Sequence, residues 1–254
     1  MTSAFRVSTH HYAARDGVAL AWHEMGEGRP IVLIHGLFSN AEVNWIKFGH
    51  ARTIAERGFR LILPDLRAHG HSGKPHDPEH YPPEILPCDS FELIERLELE
   101  DFDLGGYSLG ARTAARMVIG GAKPRRLILG GMGLEGMLQA RARAEHFRRI
   151  LTGLGSFAAG TPQWMAEAFL KTTQGDPEAL LPLLDSFVDT SAPELGAITP
   201  PTLVFAGADD RDNGSARALA ARLPSARYVE LPGNHMSVVT RPEFGIAIAD
   251  FLAA

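Results

Sequence analysis

The sequence predicts an α/β fold, a mostly parallel sheet with helices on both faces, interrupted by a stretch that is helical throughout. Three observations carry this expectation. Short apolar runs alternate with amphipathic helical patterns along the 254 residues. Some of these runs, such as Ile31 to Ile34, are continuously apolar, as a strand covered on both faces requires. One window, Leu134 to Ile198, carries helical patterns and no convincing strand. Strands that alternate with helices imply parallel pairing, because each helix returns the chain to the sheet edge where the next strand begins.

Taken in order, Val18 to His23 reads as an early strand, and the turn Gly26-Glu27-Gly28-Arg29-Pro30 feeds the strand Ile31 to Ile34. Trp45 to Arg57 reads as a helix closed by Gly58, and Arg60 to Leu63 as a strand stopped by Pro64. Asp89-Ser90-Phe91-Glu92 has the form of a capping box and predicts a helix from there to about Leu99. Phe102 to Leu104 predicts a strand and Ala111 to Ile119 a helix. Further strands are expected at Leu127 to Leu129, Thr202 to Ala206 and Ala226 to Glu230, with a last helix from about Glu243 to Leu252. Within the helical window, Glu135 to Leu154, Pro162 to Thr173 and Pro177 to Val188 read as helices separated by glycines. Phe147, Ile150, Leu151 and Leu154 share one face of the first. The expected division is a core of residues 1–133 and 199–254, with 134–198 inserted.

Composition narrows the function. A formal net charge of −5 argues against a general binder of nucleic acid or anionic membrane, since neither phosphate nor lipid head group would be attracted overall. Small neutral partners fit better. The single cysteine, Cys88, excludes an internal disulfide framework and suits a reducing compartment. Met1 to His11 lacks an apolar signal segment, and no run reaches the ~18 apolar residues of a membrane span. The expectation is a cytoplasmic monomer or homodimer.

The chemistry concentrates in four segments. Gly105-Gly106-Tyr107-Ser108-Leu109-Gly110 is G-x-S-x-G set between a strand and a helix, the nucleophile elbow. Glycines at 106 and 110 allow a tight turn that leaves the Ser108 hydroxyl exposed above the sheet. Ile34-His35-Gly36-Leu37 follows a buried strand. There the backbone N–H of Leu37, with that of Leu109, can point at a developing oxyanion, while His35 holds the turn by hydrogen bonds. Thr202 to Ala206 runs into Gly207-Ala208-Asp209-Asp210, and Leu231-Pro232-Gly233-Asn234-His235 places a histidine after the last strand. The order along the chain is Ser, Asp, His.

With these segments and Asp65-Leu66-Arg67-Ala68-His69-Gly70-His71-Ser72, which has the form D-x-R-x-x-G-x-S, the chain from about Val18 to Leu252 resembles the α/β-hydrolase superfamily of serine hydrolases with a helical cap. The resemblance implies an eight-stranded α/β-hydrolase sheet, Ser108 as nucleophile, His235 as general base and then acid, and Leu37 and Leu109 as oxyanion donors. It selects Asp210 as the acid, with Asp209 the fallback, and makes 134–198 the cap. Ala68 departs from the pattern, since relatives mostly carry Gly there, and a slightly altered loop is expected. Serine at 108 argues against haloalkane dehalogenases, which use Asp, and dienelactone hydrolases, which use Cys. A small or medium ester or thioester is the expected substrate. A carbon–carbon bond hydrolase or a cofactor-free perhydrolase shares the same residues, and a catalytically silent ligand-binding protein is the alternative from another class. An intact Ser, Asp, His set counts against the last.

Phe38, Tyr107 and Trp164 are the expected substrate contacts, whereas Trp45 reads as a packing residue and Asp65 as the stabiliser of its loop. Arg141, Arg143, Arg148 and Arg149 read as a solvated basic face, with recognition of an anionic substrate the minority reading. His69, His71, His76 and His80 cluster in sequence, but their spacing matches no common zinc pattern, so no metal is expected. No cofactor is implied either: Ile31 stands where a dinucleotide loop beginning at Gly26 needs its third glycine, and no phosphate-binding G-x-x-x-x-G-K-[ST] loop occurs.

Overall fold

A computed structural model describes residues 5–254. Its centre is an eight-stranded sheet in the order β1-β2-β4-β3-β5-β6-β7-β8. The strands are β1 (Ser8–Ala13), β2 (Ala19–Met25), β3 (Arg29–Ile34), β4 (Phe59–Asp65), β5 (Asp103–Tyr107), β6 (Leu127–Gly130), β7 (Thr202–Gly207) and β8 (Ala226–Leu231). β2 pairs antiparallel with β1 and β4, and the remaining pairs are parallel. The expected mostly parallel sheet is therefore present. The strand that the sequence does not mark is β1, STHHYA, whose residues are largely exposed and carry no apolar alternation.

Period-two alternation sorts the central strands into two cores. Val32, Ile34, Ile62, Leu104, Leu129 and Val204 face one way, toward α2 (Ile85–Arg96), α3 (Leu109–Ile119) and α9 (Ala216–Arg222). Ile31, Leu33, Leu61, Leu63, Ile128 and Phe205 face the other, toward α1 (His50–Ala55) and α10 (Pro242–Ala253). Helices on both faces follow from strands apolar on both sides.

Two helix expectations in the core need correction. The run Trp45 to Arg57 is not one helix: a π-helical turn at Glu42–Ile46 is separated from α1 by Gly49, whose φ of 82° breaks the helical path. Asp89-Ser90-Phe91-Glu92 does not cap a helix but lies inside α2. Asp89 there accepts two bonds from the Arg67 guanidinium at 2.8 and 2.9 Å, and the Ser90 hydroxyl donates to the Leu86 carbonyl one turn back. A polar quartet inside a helix has the same letters as a cap.

Between β6 and β7 the chain forms α4 (Leu134–Leu138), α5 (Ala140–Thr152), α6 (Pro162–Thr172), α7 (Pro177–Asp185) and α8 (Ala192–Gly196). The pattern Glu135 to Leu154 divides at Gln139, whose φ, ψ of −128°, 44° is non-helical. Thr161, Asp176 and Ser191 cap the last three helices, each with proline in the first turn, and Ser191 with Glu194 completes a capping box. Met137, Ile150, Leu151, Leu170, Leu180 and Leu183 bury these helices on the α3 face of the sheet. Two contacts tie them to the core: Phe147 meets Phe38 edge-on with centroids 5.4 Å apart, and the Thr173 hydroxyl donates to the Phe38 carbonyl at 2.6 Å.

Candidate active site

Parallel strands deliver their following loops to one edge of the sheet, and four such loops meet here. β3 and β5 are neighbours with Ile34 beside Gly106, so the His35-Gly36-Leu37 turn lies against the turn at Ser108. A Cβ on Gly36 would stand 3.4 Å from the Ser108 Cβ. β7 and β8 are also neighbours, with Gly207 beside Leu231, which sets the loop bearing Asp210 next to the loop bearing His235.

Ser108 has φ 53° and ψ −113°, a conformation that costs a non-glycine residue about 1–3 kcal/mol. The neighbours explain how it is held. The Ser108 N–H donates to the Gly130 carbonyl at 2.8 Å and its carbonyl receives the Arg112 N–H at 3.1 Å. A Cβ on Gly106 would run into Gly110, and one on Gly110 into the Ile34 carbonyl. Strand, turn and helix can come this close only because both positions are glycine.

The three polar side chains form one chain of hydrogen bonds. His235 Nδ1 lies 2.8 Å from Asp210 Oδ2, and His235 Nε2 lies 3.1 Å from Ser108 Oγ. A carboxylate only accepts, so Nδ1 carries the proton and donates; Nε2 is then the acceptor for the Ser108 hydroxyl. The Asp210 side chain is 5 % exposed and that of His235 13 %. Asp209 is exposed, and its N–H is taken by the Gly233 carbonyl. Of the two adjacent carboxylates, the structure brings Asp210 to the histidine.

The turn after β3 is braced by two buried histidines. His35 Nδ1–H donates to the Gly36 carbonyl at 2.8 Å while Nε2 accepts from the Leu66 N–H at 2.9 Å. His69 Nδ1–H donates to the Arg67 carbonyl at 2.9 Å and Nε2 accepts from the Phe38 N–H at 3.3 Å. Burial lowers the pKa of both, and for His69, to about 3, the nearby His35 adds to it, so both rings are neutral. Ser39 N–H goes to the Gly36 carbonyl. Among the described residues, the N–H groups of Leu37 and Leu109 find no protein acceptor.

The expected substrate contacts fare differently. Phe38 is 3 % exposed, with φ 61°, and joins the core to α5 and α6. Tyr107 is not a substrate contact. Its ring is 3 % exposed among Phe205, Phe244 and His235, and its hydroxyl donates to the His235 carbonyl at 2.6 Å. Side chains alternate along a strand, so the residue before Ser108 points beneath the sheet edge and braces the histidine loop. Trp164 is 42 % exposed on α6. Trp45 is fully buried against Phe244, and Cys88 is exposed on α2.

The D-x-R-x-x-G-x-S segment is a scaffold for this edge. Asp65 accepts from the Ala41 and His71 N–H groups at 2.9 and 2.8 Å and from His23 Nε2 at 3.1 Å. Burial raises its pKa, but these bonds and the His35 ring outweigh burial and hold the carboxyl well below the usual range. Ala68 has φ 68° and no exposure, which gives a physical reason for glycine in similar sequences. The histidines do not gather in one site: His76 lies against Asp176 and Glu178, His80 against Asp16, and His71 with His23 and Asp65. In that last trio the potential ligand atoms lie within 4.8 Å of one another, but Asp65 Oδ2 already receives the His23 and His71 bonds. Sequence reasoning missed Arg112, a buried cation one helical turn after Ser108; with Arg116 one turn further along the same face, nothing in the sequence tells the two apart.

No helix among the described residues is long and apolar enough to cross a membrane. Comparison with known proteins agrees with the sheet. Residues 31–247 match the alpha/beta hydrolase family. A non-heme chloroperoxidase of Kitasatospora aureofaciens is 35% identical over 104 residues, 41% of this chain but only 36% of that protein. The chain thus spans little more than a third of that relative. A non-heme haloperoxidase of Rhodococcus erythropolis is 26% identical over 87% of this chain and 90% of its own length. The structure of a thermophilic esterase from Thermogutta terrifontis superposes with a TM-score of 0.72 at 25% identity, covering 96% of this chain and 98% of the other. By its sheet order, its turn geometry and these matches, the chain belongs to the alpha/beta hydrolase family.

Proposed function

We propose that the protein is a serine hydrolase that cleaves a small or medium carboxylic ester or thioester through an acyl-enzyme on Ser108. The observation that carries this reading is the hydrogen-bond chain from Asp210 through His235 to Ser108. A free serine hydroxyl is a weak nucleophile, and a neutral imidazole within bonding reach removes its proton as the oxygen attacks the carbonyl carbon. Asp210 keeps the imidazole in the tautomer that accepts at Nε2 and stabilises the imidazolium that follows. The tetrahedral oxyanion takes the N–H groups of Leu37 and Leu109, each worth about 2.7–4 kcal/mol of barrier. The imidazolium then gives its proton to the leaving alcohol or thiol, and water releases the acid by the same steps. Residues 134–198 act as a cap over this edge, tied to it through the packing of Phe147 and the Thr173 hydroxyl on Phe38.

The similarity to a haloperoxidase along most of both chains supports a second reading, in which hydrogen peroxide instead of water attacks the acyl-enzyme and leaves as a peracid. Steady-state hydrolysis of p-nitrophenyl esters of increasing chain length, with and without peroxide, tests both. Turnover that needs Ser108 supports the first, and peracid formation that outruns hydrolysis supports the second. A folded protein with no turnover of any activated ester would contradict both.

A further inference from the structure

Two arginines that reach into the core, Arg67 and the half-buried Arg116, are fully partnered. Arg67, 1 % exposed, binds Asp89 through two nitrogens and also Asp16 and the His80 carbonyl. Arg116 binds Glu84 and Glu194 at 2.9 and 2.8 Å. Arg112, one turn before Arg116 and one turn after Ser108, is 7 % exposed and, among the described residues, has no hydrogen-bond acceptor; its Cζ lies 3.9 Å above the Phe187 ring. Arg143 enters from α5. Its Nε is buried without a partner and its Cζ lies 5.1 Å from the ring of Phe147, the residue that packs on Phe38.

Of the carboxylates nearest to these cations, Asp210 is committed to His235, Glu84 to Arg116 and Asp189 to the Arg141 N–H, and Asp212, whose charge acts most strongly on Arg143, forms no ion pair with it among the described residues. Burial lowers the pKa of Arg112 to about 10, against the pull of Glu84, and the charge of Arg143 adds to the lowering. Both groups remain cations at neutral pH. A buried cation without an acceptor, as Arg112 is, is unfavourable, and a half-buried second cation that repels it adds to the cost. An anion between them removes both penalties. Arg112 also lines a small cavity of ≈ 20 Å³ with Leu109, Thr113, Phe187 and the ion-paired Glu84 and Arg116, the space of about one water, which a carboxylate oxygen would replace. The planar guanidinium fork suits a carboxylate, which it can bind through two parallel N–H bonds.

We propose that the substrate of the Ser108 site carries a free carboxylate besides its scissile carbonyl, held between Arg112 and Arg143. This rests on the serine hydrolase reading and replaces the small neutral substrate expected from net charge with an anionic one. It also assigns to Arg143 a role that differs from a solvated basic face.

Isothermal titration of Ser108→Ala protein, in which nothing turns over, tests the site with dicarboxylates from succinate to adipate against their diamides. At least one acid binds roughly tenfold or more tighter than its diamide, and Arg112→Met and Arg143→Gln each remove that preference. Circular dichroism confirms folding of each variant, and Arg143→Gln carries the test if Arg112→Met does not fold. Equal binding of acids and diamides, or a preference that survives in folded variants, overturns the proposal. Hydrolysis of neutral p-nitrophenyl butyrate by the native protein separates the two readings. Ester turnover without acid preference overturns the anion site alone, and acid preference without ester turnover overturns the hydrolase reading while the anion site stands.

Discussion

Ser108 illustrates how a residue's backbone state is fixed by its neighbours and not by its own preference. Its positive φ is held by hydrogen bonds on both sides and by two glycines that let the turn close. Removal of the hydroxyl leaves this frame untouched, so Ser108→Ala is expected to melt with the native protein yet lose at least roughly a thousandfold in ester hydrolysis. Tyr107 acts one step away, through its bond to the His235 carbonyl. Tyr107→Phe is expected to lower stability by about 1 kcal/mol and kcat by roughly tenfold with KM little changed, as read by urea unfolding and steady-state kinetics. Ala68 stands in a left-handed conformation that costs an L-residue about 1–2 kcal/mol. Ala68→Gly is therefore expected to raise the urea midpoint, since that strain exceeds the ~0.4–1 kcal/mol of extra chain entropy that glycine brings to the unfolded state.

At the scale of elements, what the sequence discloses depends on whether local and tertiary forces agree. Strands buried on both faces, such as Ile31 to Ile34, announce themselves by continuous apolar character, and the turns after them by glycine. β1 does not, because an exposed edge strand needs no apolar period. The capping letters at Asp89 mislead because their acidic group serves Arg67, a partner twenty-two residues away that only the fold reveals. Tyr107 and Arg112 escape for a similar reason: what each side chain meets is set by strand and helix packing that leaves no local signal. The tightest constraint is the contact between β3 and the start of α3. Gly110→Ala would drive a methyl group into the Ile34 and His35 carbonyls, and it is expected to cost at least about 2 kcal/mol in denaturant unfolding, with ester hydrolysis lost in proportion to the displacement of Ser108.

The whole molecule carries its titration behaviour in buried histidines. Burial lowers the pKa of His35, His50 and His69, whereas an unfolded histidine titrates near 6.5. Below that pH the unfolded chain binds protons that the folded protein refuses, so stability is full above about pH 7 and falls as the pH drops. The slope approaches ~1.4 kcal/mol per pH unit for each histidine, and for His69 it persists to about pH 3. Asp65, held low by its hydrogen bonds, adds a further loss only below the unfolded carboxylate pKa of about 3.9. Burial raises the pKa of Asp89, to about 6, and of Asp103, and the Asp176 bond raises that of His76, so these groups offset part of the loss. Urea unfolding at intervals from pH 4 to 8 checks the sum, and stability that rises as the pH falls from 6.5 to 4 would contradict it.

The central claim is that one edge of the sheet turns Ser108 into an activated nucleophile. Labelling with a fluorophosphonate, followed by peptide mass spectrometry on native protein and Ser108→Ala, tests that activation without knowledge of the substrate. The account predicts one adduct, on Ser108, absent from the variant; a folded native protein that stays unlabelled would contradict it.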